Sequence, residues 1–323
     1  MSMGKPELKL PGTIVPPLTP FTDDLKVDYD KLAGIVEYVV ETCGASMVVA
    51  AGVEAQEYQY LSFEDRKQLM AKTIEMVGGR APVAAGISHP SFKTAIDLAH
   101  FAQDAGASVV QLLAPNRPTG GPAKLSEHVA YYQAVLRETD LPMMLYLNPG
   151  PGADVSVPAT VELASLDGIA YVKESSRDLA RVSRLVEEIE HAGHAHYFTT
   201  LQMYLATLSL GGSGVTLPPP AALIARKITD AFVAGDIAEA QRLQRQYTLW
   251  PARWMPFGLA AVMKATLNHL GVPAGNPFPP YEPVTGEALE RLHAYIDETD
   301  LVSGATDHNR KDAHADRHAT VDH

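Results

Sequence analysis

Ile169-Ala170-Tyr171-Val172-Lys173 is four apolar residues closed by a lysine, and it reads as a strand buried on both faces. Chains avoid an ammonium at the end of such a strand unless the group has a task, because desolvating a charge is costly. Lys67, Lys72, Lys93 and Lys227 fall instead in helical patterns, where a solvated face accounts for them. A desolvated amine moves toward its neutral, nucleophilic form and can condense with a carbonyl to give a Schiff base. The structural alternative is a salt bridge, with adjacent Glu174 as the candidate partner.

Runs of the same kind recur on both sides of it. They fall at residues 13–17, 46–51, 82–86, 108–113, 143–146, 196–199 and 214–217, which with 169–173 makes eight strand candidates. Helical patterns separate them: 28–42, one opened by Ser62 with Glu64 and Asp65 in its first turn, one from Ser91, and one over 125–139. The junctions Cys43-Gly44-Ala45-Ser46 and Ala105-Gly106-Ala107-Ser108 repeat one phrase, with glycine suited to a helix C-terminus; Gly168 and Gly212 hold similar places. Continuous apolar strands alternating with helices belong to a parallel sheet, and an eightfold count predicts a (β/α)8 TIM barrel. A doubly wound open sheet loses support because no Gly-x-Gly-x-x-Gly follows the first strand.

The expected organisation is a barrel over 12–222, then its last helix and a C-terminal helical extension over 223–301, broken at Pro251, Pro256 and Gly271-Val272-Pro273. The polar, aperiodic stretch 302–323 is expected to be a disordered tail, and its His308, His314, His318 and His323 lack a scaffold for a metal site.

Composition narrows the function. The chain has 323 residues, 46% of them hydrophobic and 20% charged, with a formal net charge of −12. That balance fits a globular protein and argues against nucleic acid or an anionic membrane as partner. The single cysteine, Cys43, asks for no oxidising compartment and has no histidine pattern beside it, so a helix-end packing role is expected. Residues 1–11 carry no apolar leader segment, and a cytoplasmic location is the expectation.

In a TIM barrel the reacting groups sit at the carboxyl ends of the strands. Lys173 ends the sixth and Tyr146 the fifth, so the two converge on one mouth. A tyrosine beside a nucleophilic amine can shuttle protons during carbinolamine formation, dehydration and C–C cleavage.

Tyr171-Val172-Lys173-Glu174-Ser175-Ser176 resembles the Schiff-base lysine motif of the dihydrodipicolinate synthase / N-acetylneuraminate lyase family. Tyr146-Leu147-Asn148-Pro149 is similar to that family's Tyr-Asn-x-Pro segment, and residues 15–21, Asn116-Arg117-Pro118 and 210–215 follow in family order. The resemblance spans roughly 12–301 and implies a class I aldolase-type barrel, a homotetramer, needing neither metal nor organic cofactor. It implies Lys173 as the Schiff-base nucleophile toward pyruvate or another 2-oxo acid and Tyr146 as the proton-transfer group. It also implies substrate contacts at positions 54, 55 and 57 (here Glu54, Ala55 and Glu57), at Asn148, and at Thr216 through a strand-end carbonyl.

Three departures bear on the substrate. The family's Gly-x-x-Gly-Glu loop is here Val53-Glu54-Ala55-Gln56-Glu57, so Glu54 and Ala55 stand where hydroxyl residues would bind a carboxylate and relay protons. Glu54 and Glu57 read either as solvated loop acids or as acid/base and hydroxyl-recognition groups at the mouth. Leu113-Ala114-Pro115-Asn116 replaces an aromatic pair, and Asn148-Pro149-Gly150-Pro151-Gly152 lacks the synthase's entrance arginine. The resemblance therefore disfavours aspartate semialdehyde as substrate, and no sequence pattern puts Arg117 or Arg177 in its place. A Schiff-base aldolase, synthase or dehydratase is the leading reading; the alternative is a barrel that binds a carbonyl metabolite without turnover.

Overall fold

Eight parallel strands pair in chain order and the eighth closes on the first. They are β1 (Gly12–Val15), β2 (Met47–Ala50), β3 (Val83–Gly86), β4 (Val109–Leu113), β5 (Met143–Leu147), β6 (Ile169–Glu174), β7 (His196–Thr199) and β8 (Gly214–Thr216). One helix follows each strand in turn: α1 (Tyr29–Glu37), α2 (Phe63–Val77), α3 (Phe92–Asp104), α4 (Leu125–Leu136), α5 (Val157–Ala164), α6 (Leu179–Leu185), α7 (Tyr204–Ser209) and α8 (Ala221–Val233). This computed structural model describes residues 6–53 and 57–302, and the (β/α)8 TIM barrel expected from the strand count is the architecture found. The expected tail and its four histidines lie outside the described residues, as do Glu54 and Ala55.

The strands are mostly apolar because both faces are covered. Ile14, Met47, Val49, Ala84, Val109 and Met144 fill the barrel interior. The residues next to them, Val15, Val48, Ala85, Val110 and Leu145, pack outward under the helices. Alternation along each strand produces the two layers.

Glycine makes the closing seam possible. Gly214 has φ +153°, and a Cβ there would stand 2.1 Å from the Gly12 carbonyl oxygen. At the α7–β8 junction the left-handed residue is Gly211, φ +86°, and not Gly212 as the repeated phrase suggested. Gly212 is needed for space instead: a Cβ would meet Thr207 Cγ2 at 2.5 Å.

Helix boundaries follow their caps. Ser62 accepts from the Asp65 amide at the start of α2, as its position predicted, and Asp28 caps α1 through the Lys31 amide. The helix expected over 28–42 runs on from α1 as a wider π turn, Tyr38–Thr42, and α4 stops at Leu136, short of 139. Cys43 follows that π turn fully buried, and burial pushes its thiol up to about 12, in keeping with a packing role.

Beyond α8 come α9 (Ile237–Arg245), α10 (Leu259–His269) and α11 (Gly286–Asp297). The break expected at 271–273 extends to residue 285, where repeated prolines cannot donate to a helix. α8 begins at Ala221, so the expected division at 222 falls inside that helix. Among the described residues no helix is long and apolar enough to cross a membrane.

Candidate active site

The strand ends bring Lys173 and Tyr146 together. They are directly paired in the β5–β6 register and both are buried, Lys173 at 1% exposure. Lys173 Nζ donates to the Thr199 carbonyl at 2.8 Å and the Thr216 carbonyl at 3.0 Å, at the ends of β7 and β8. Strand-end carbonyls are open to such a donor because the ladder has stopped there. The Thr216 hydroxyl is buried and finds no hydrogen-bond partner among the described residues.

Glu174 does not pair with Lys173. Successive strand residues point to opposite faces, and Glu174 lies outside the barrel, where it accepts from Arg181 Nε at 3.0 Å and from Tyr197 Oη at 3.2 Å. It also accepts from the Ser176 amide at 3.0 Å, which fastens the loop just past the lysine. Glu174, the partner offered for a structural salt bridge, is therefore committed to other groups.

A cavity of about 330 Å3 opens above Lys173. Tyr146, Asn148, Ser175 and Thr216 line it near the amine. Asn148 Nδ2 donates to Tyr146 Oη at 3.1 Å, and Ser175 Oγ lies 3.5 Å from the same oxygen. These contacts fix where the phenolic oxygen stands, and a positioned phenol can pass a proton to or from a group beside it. Arg177, Thr200 and Gln202 continue the polar wall outward, while Leu217, Pro251, Met255 and Leu259 supply apolar surface.

Two residues named from the sequence stand elsewhere. Glu57 is buried at 2% exposure and pairs with Lys264 of α10 at 2.5 Å, so it is not a solvated loop acid; nor does it line this cavity. Burial raises its carboxyl and lowers the Lys264 amine, with each charge offsetting the other's desolvation. Arg117 pairs with Glu127 at 2.5 Å, away from the cavity. Ser175 and Gln202 were missed by the sequence reading. Ser175 could have been found, since it lies two residues past Lys173 and shares its face. Gln202 sits on a loop turn, where periodicity gives no signal.

The family model for the dihydrodipicolinate synthetase family matches residues 9–299. The chain belongs to that family. Membership makes it a lyase of the class I, Schiff-base aldolase type, and does not favour the alternative of binding without turnover. Among curated relatives, the 4-hydroxy-tetrahydrodipicolinate synthase of Methanothermobacter thermautotrophicus is 30% identical over 280 residues, 83% of this chain and 95% of that protein. The enzyme of the same name from Heliobacterium modesticaldum is 32% identical over 268 residues, 80% of this chain and 85% of that one. Among solved structures, YagE, a dihydrodipicolinic acid synthase family prophage protein from E. coli K12 in complex with pyruvate, superposes with a TM-score of 0.82. It is 23% identical and covers 90% of this chain and 98% of its own, a likeness of fold.

Proposed function

We propose that Lys173 is the Schiff-base nucleophile and Tyr146 the proton-transfer group of a lyase acting on pyruvate or another 2-oxo acid. The observation that carries this reading is the buried Lys173 amine, cross-strand from Tyr146 and facing a cavity. Once deprotonated, the amine can give its two N–H groups to the Thr199 and Thr216 carbonyls and keep its lone pair for a substrate carbon. Attack on the keto carbon gives a carbinolamine; Tyr146 protonates the departing hydroxyl, and water leaves with formation of the iminium. The iminium then takes up the electron pair released when a bond at the neighbouring carbon breaks. Tyr146, left as a phenolate toward which Asn148 and Ser175 donate, takes back the proton released as that bond breaks. Thr216 orients the amine through its carbonyl, and Glu57 holds its loop from outside the cavity.

Family likeness also supports a cytoplasmic homotetramer, which sedimentation of the full chain tests. The decisive experiment is incubation with pyruvate and a panel of 2-oxo acids, borohydride reduction, and intact mass. An adduct of ligand size is expected, with loss of it in Lys173→Ala. Turnover surviving in Lys173→Ala would end the proposal.

A further inference from the structure

Arg177 and Lys173 occupy opposite depths of one cavity. Lys173 is on the floor, while Arg177 is exposed at the rim, four residues further along the loop between β6 and α6. Four residues of chain reach at most about 14 Å, the scale of a short substrate lying between the two groups. Ser175 lies between them in the chain and on the same cavity wall.

The cavity's electrostatics run against those of the whole protein. The chain carries a formal net charge of −12, yet the described residues lining this cavity include the Arg177 guanidinium and the Lys173 amine and no carboxylate. Arg181, in the helix that follows this loop, is by contrast paired with Glu174. Among the described residues no carboxylate pairs with Arg177; Gln202 Oε1 accepts from its Nε at 3.3 Å, which orients the guanidinium plane. An oriented fork of N–H donors at the edge of a cavity matches the geometry of a carboxylate.

We infer that Arg177, oriented by Gln202, is a specificity-determining residue that binds a second carboxylate at the end of the substrate remote from its carbonyl. The favoured 2-oxo acid is then a dicarboxylate. This inference rests on the Schiff-base reading of Lys173, and it adds the far end of the substrate to it. The apolar surface of Leu217, Pro251 and Met255 fits a carbon chain between the two polar ends.

The test uses the full chain and borohydride trapping, titrating 2-oxoglutarate and 2-oxoadipate against 2-oxopentanoate and 2-oxohexanoate. The latter two match in length and lack the second carboxylate. Half-saturating concentrations are read by intact mass. The wild type is expected to favour at least one dicarboxylate by about tenfold, the scale of one charge-assisted contact at a partly open site. Arg177→Gln should erase most of that preference, Arg177→Lys should keep part of it, and Gln202→Leu should reduce it. A merely structural role for Arg177 would shift both members of each pair alike. Adducts without a dicarboxylate preference, or a preference that survives Arg177→Gln, would overturn this inference and leave the Schiff-base reading standing. No adduct with any acid would overturn both.

Discussion

Lys173 and Tyr146 could be picked out from the sequence because the carboxyl end of a strand has a defined address in a barrel, whichever helices surround it; each stands one residue before its strand's last. What the address could not supply was their partners. The carbonyls of Thr199 and Thr216 that hold the amine come from two other strands, and backbone groups carry no sequence signature. The burial of Glu57 escaped the sequence for a related reason, since its partner Lys264 lies 207 positions away. At this scale the sharpest expectation concerns the tyrosine. Tyr146→Phe keeps the ring in a buried site and removes the proton-transfer group, so turnover should fall by about 10²–10⁴-fold. Folding should be little changed. Stopped-flow trapping with pyruvate should show slower approach to the same final adduct mass. A variant with undiminished rate would place the proton transfer on another group, with Ser175 the next candidate by distance.

The elements were legible where periodicity decides them and blurred where hydrogen bonding does. Strands came out within about two residues of expectation, since burial on both faces leaves an unbroken apolar run. The π turns after α1 and α6 were not foreseen, because an added residue in a helical turn barely disturbs the apolar stripe. One of them, Val186–His191, carries Glu190, which joins three elements at the amino-terminal end of the barrel. It accepts from the Tyr197 amide at 2.6 Å, Ser213 Oγ at 2.7 Å and His196 Nδ1 at 3.0 Å. Burial alone would raise the Glu190 carboxyl, but these hydrogen bonds together outweigh it and hold it below the ordinary value. A depressed carboxyl contributes stability above its unfolded-state pKa and loses it as pH falls through the folded value. Glu190→Gln should therefore cost about 1–3 kcal/mol near neutrality, the scale of buried hydrogen bonds left imperfectly matched. Its gap from wild type should narrow as pH drops below about 4, where the unfolded carboxyl takes up its proton. Urea melts at pH 7, 5 and 3.5 measure it, and a gap constant across that range would show that charge is not what Glu190 contributes.

At the scale of the molecule, the barrel and the C-terminal helices share one site. α10 contributes Leu259 to the cavity above Lys173, and the same helix carries the buried Lys264. Lys264 Nζ reaches Glu57 on the loop after β2, the Thr19 carbonyl after β1 at 2.7 Å, and the Asn276 carbonyl beyond α10 at 3.0 Å. The Thr19 amide in turn donates to Glu57 at 3.1 Å. One buried cation thus ties two barrel loops to the helical layer that walls the cavity. Removing a single partner from such a pair leaves the other buried and uncompensated, which costs about 3–5 kcal/mol. Lys264→Met is expected to lose that much in urea unfolding, and more at pH 8 than at pH 5, because the Glu57 carboxyl can take a proton at the lower pH. Adding Glu57→Leu to it should recover part of the loss, since no unpaired carboxyl remains; the Thr19 and Asn276 groups still lack partners, so recovery stays incomplete. Because α10 also lines the cavity, both variants should raise the half-saturating concentration for borohydride-trapped pyruvate. Equal and additive costs for the two substitutions, with trapping untouched, would mean the pair neither couples the layers nor supports the site.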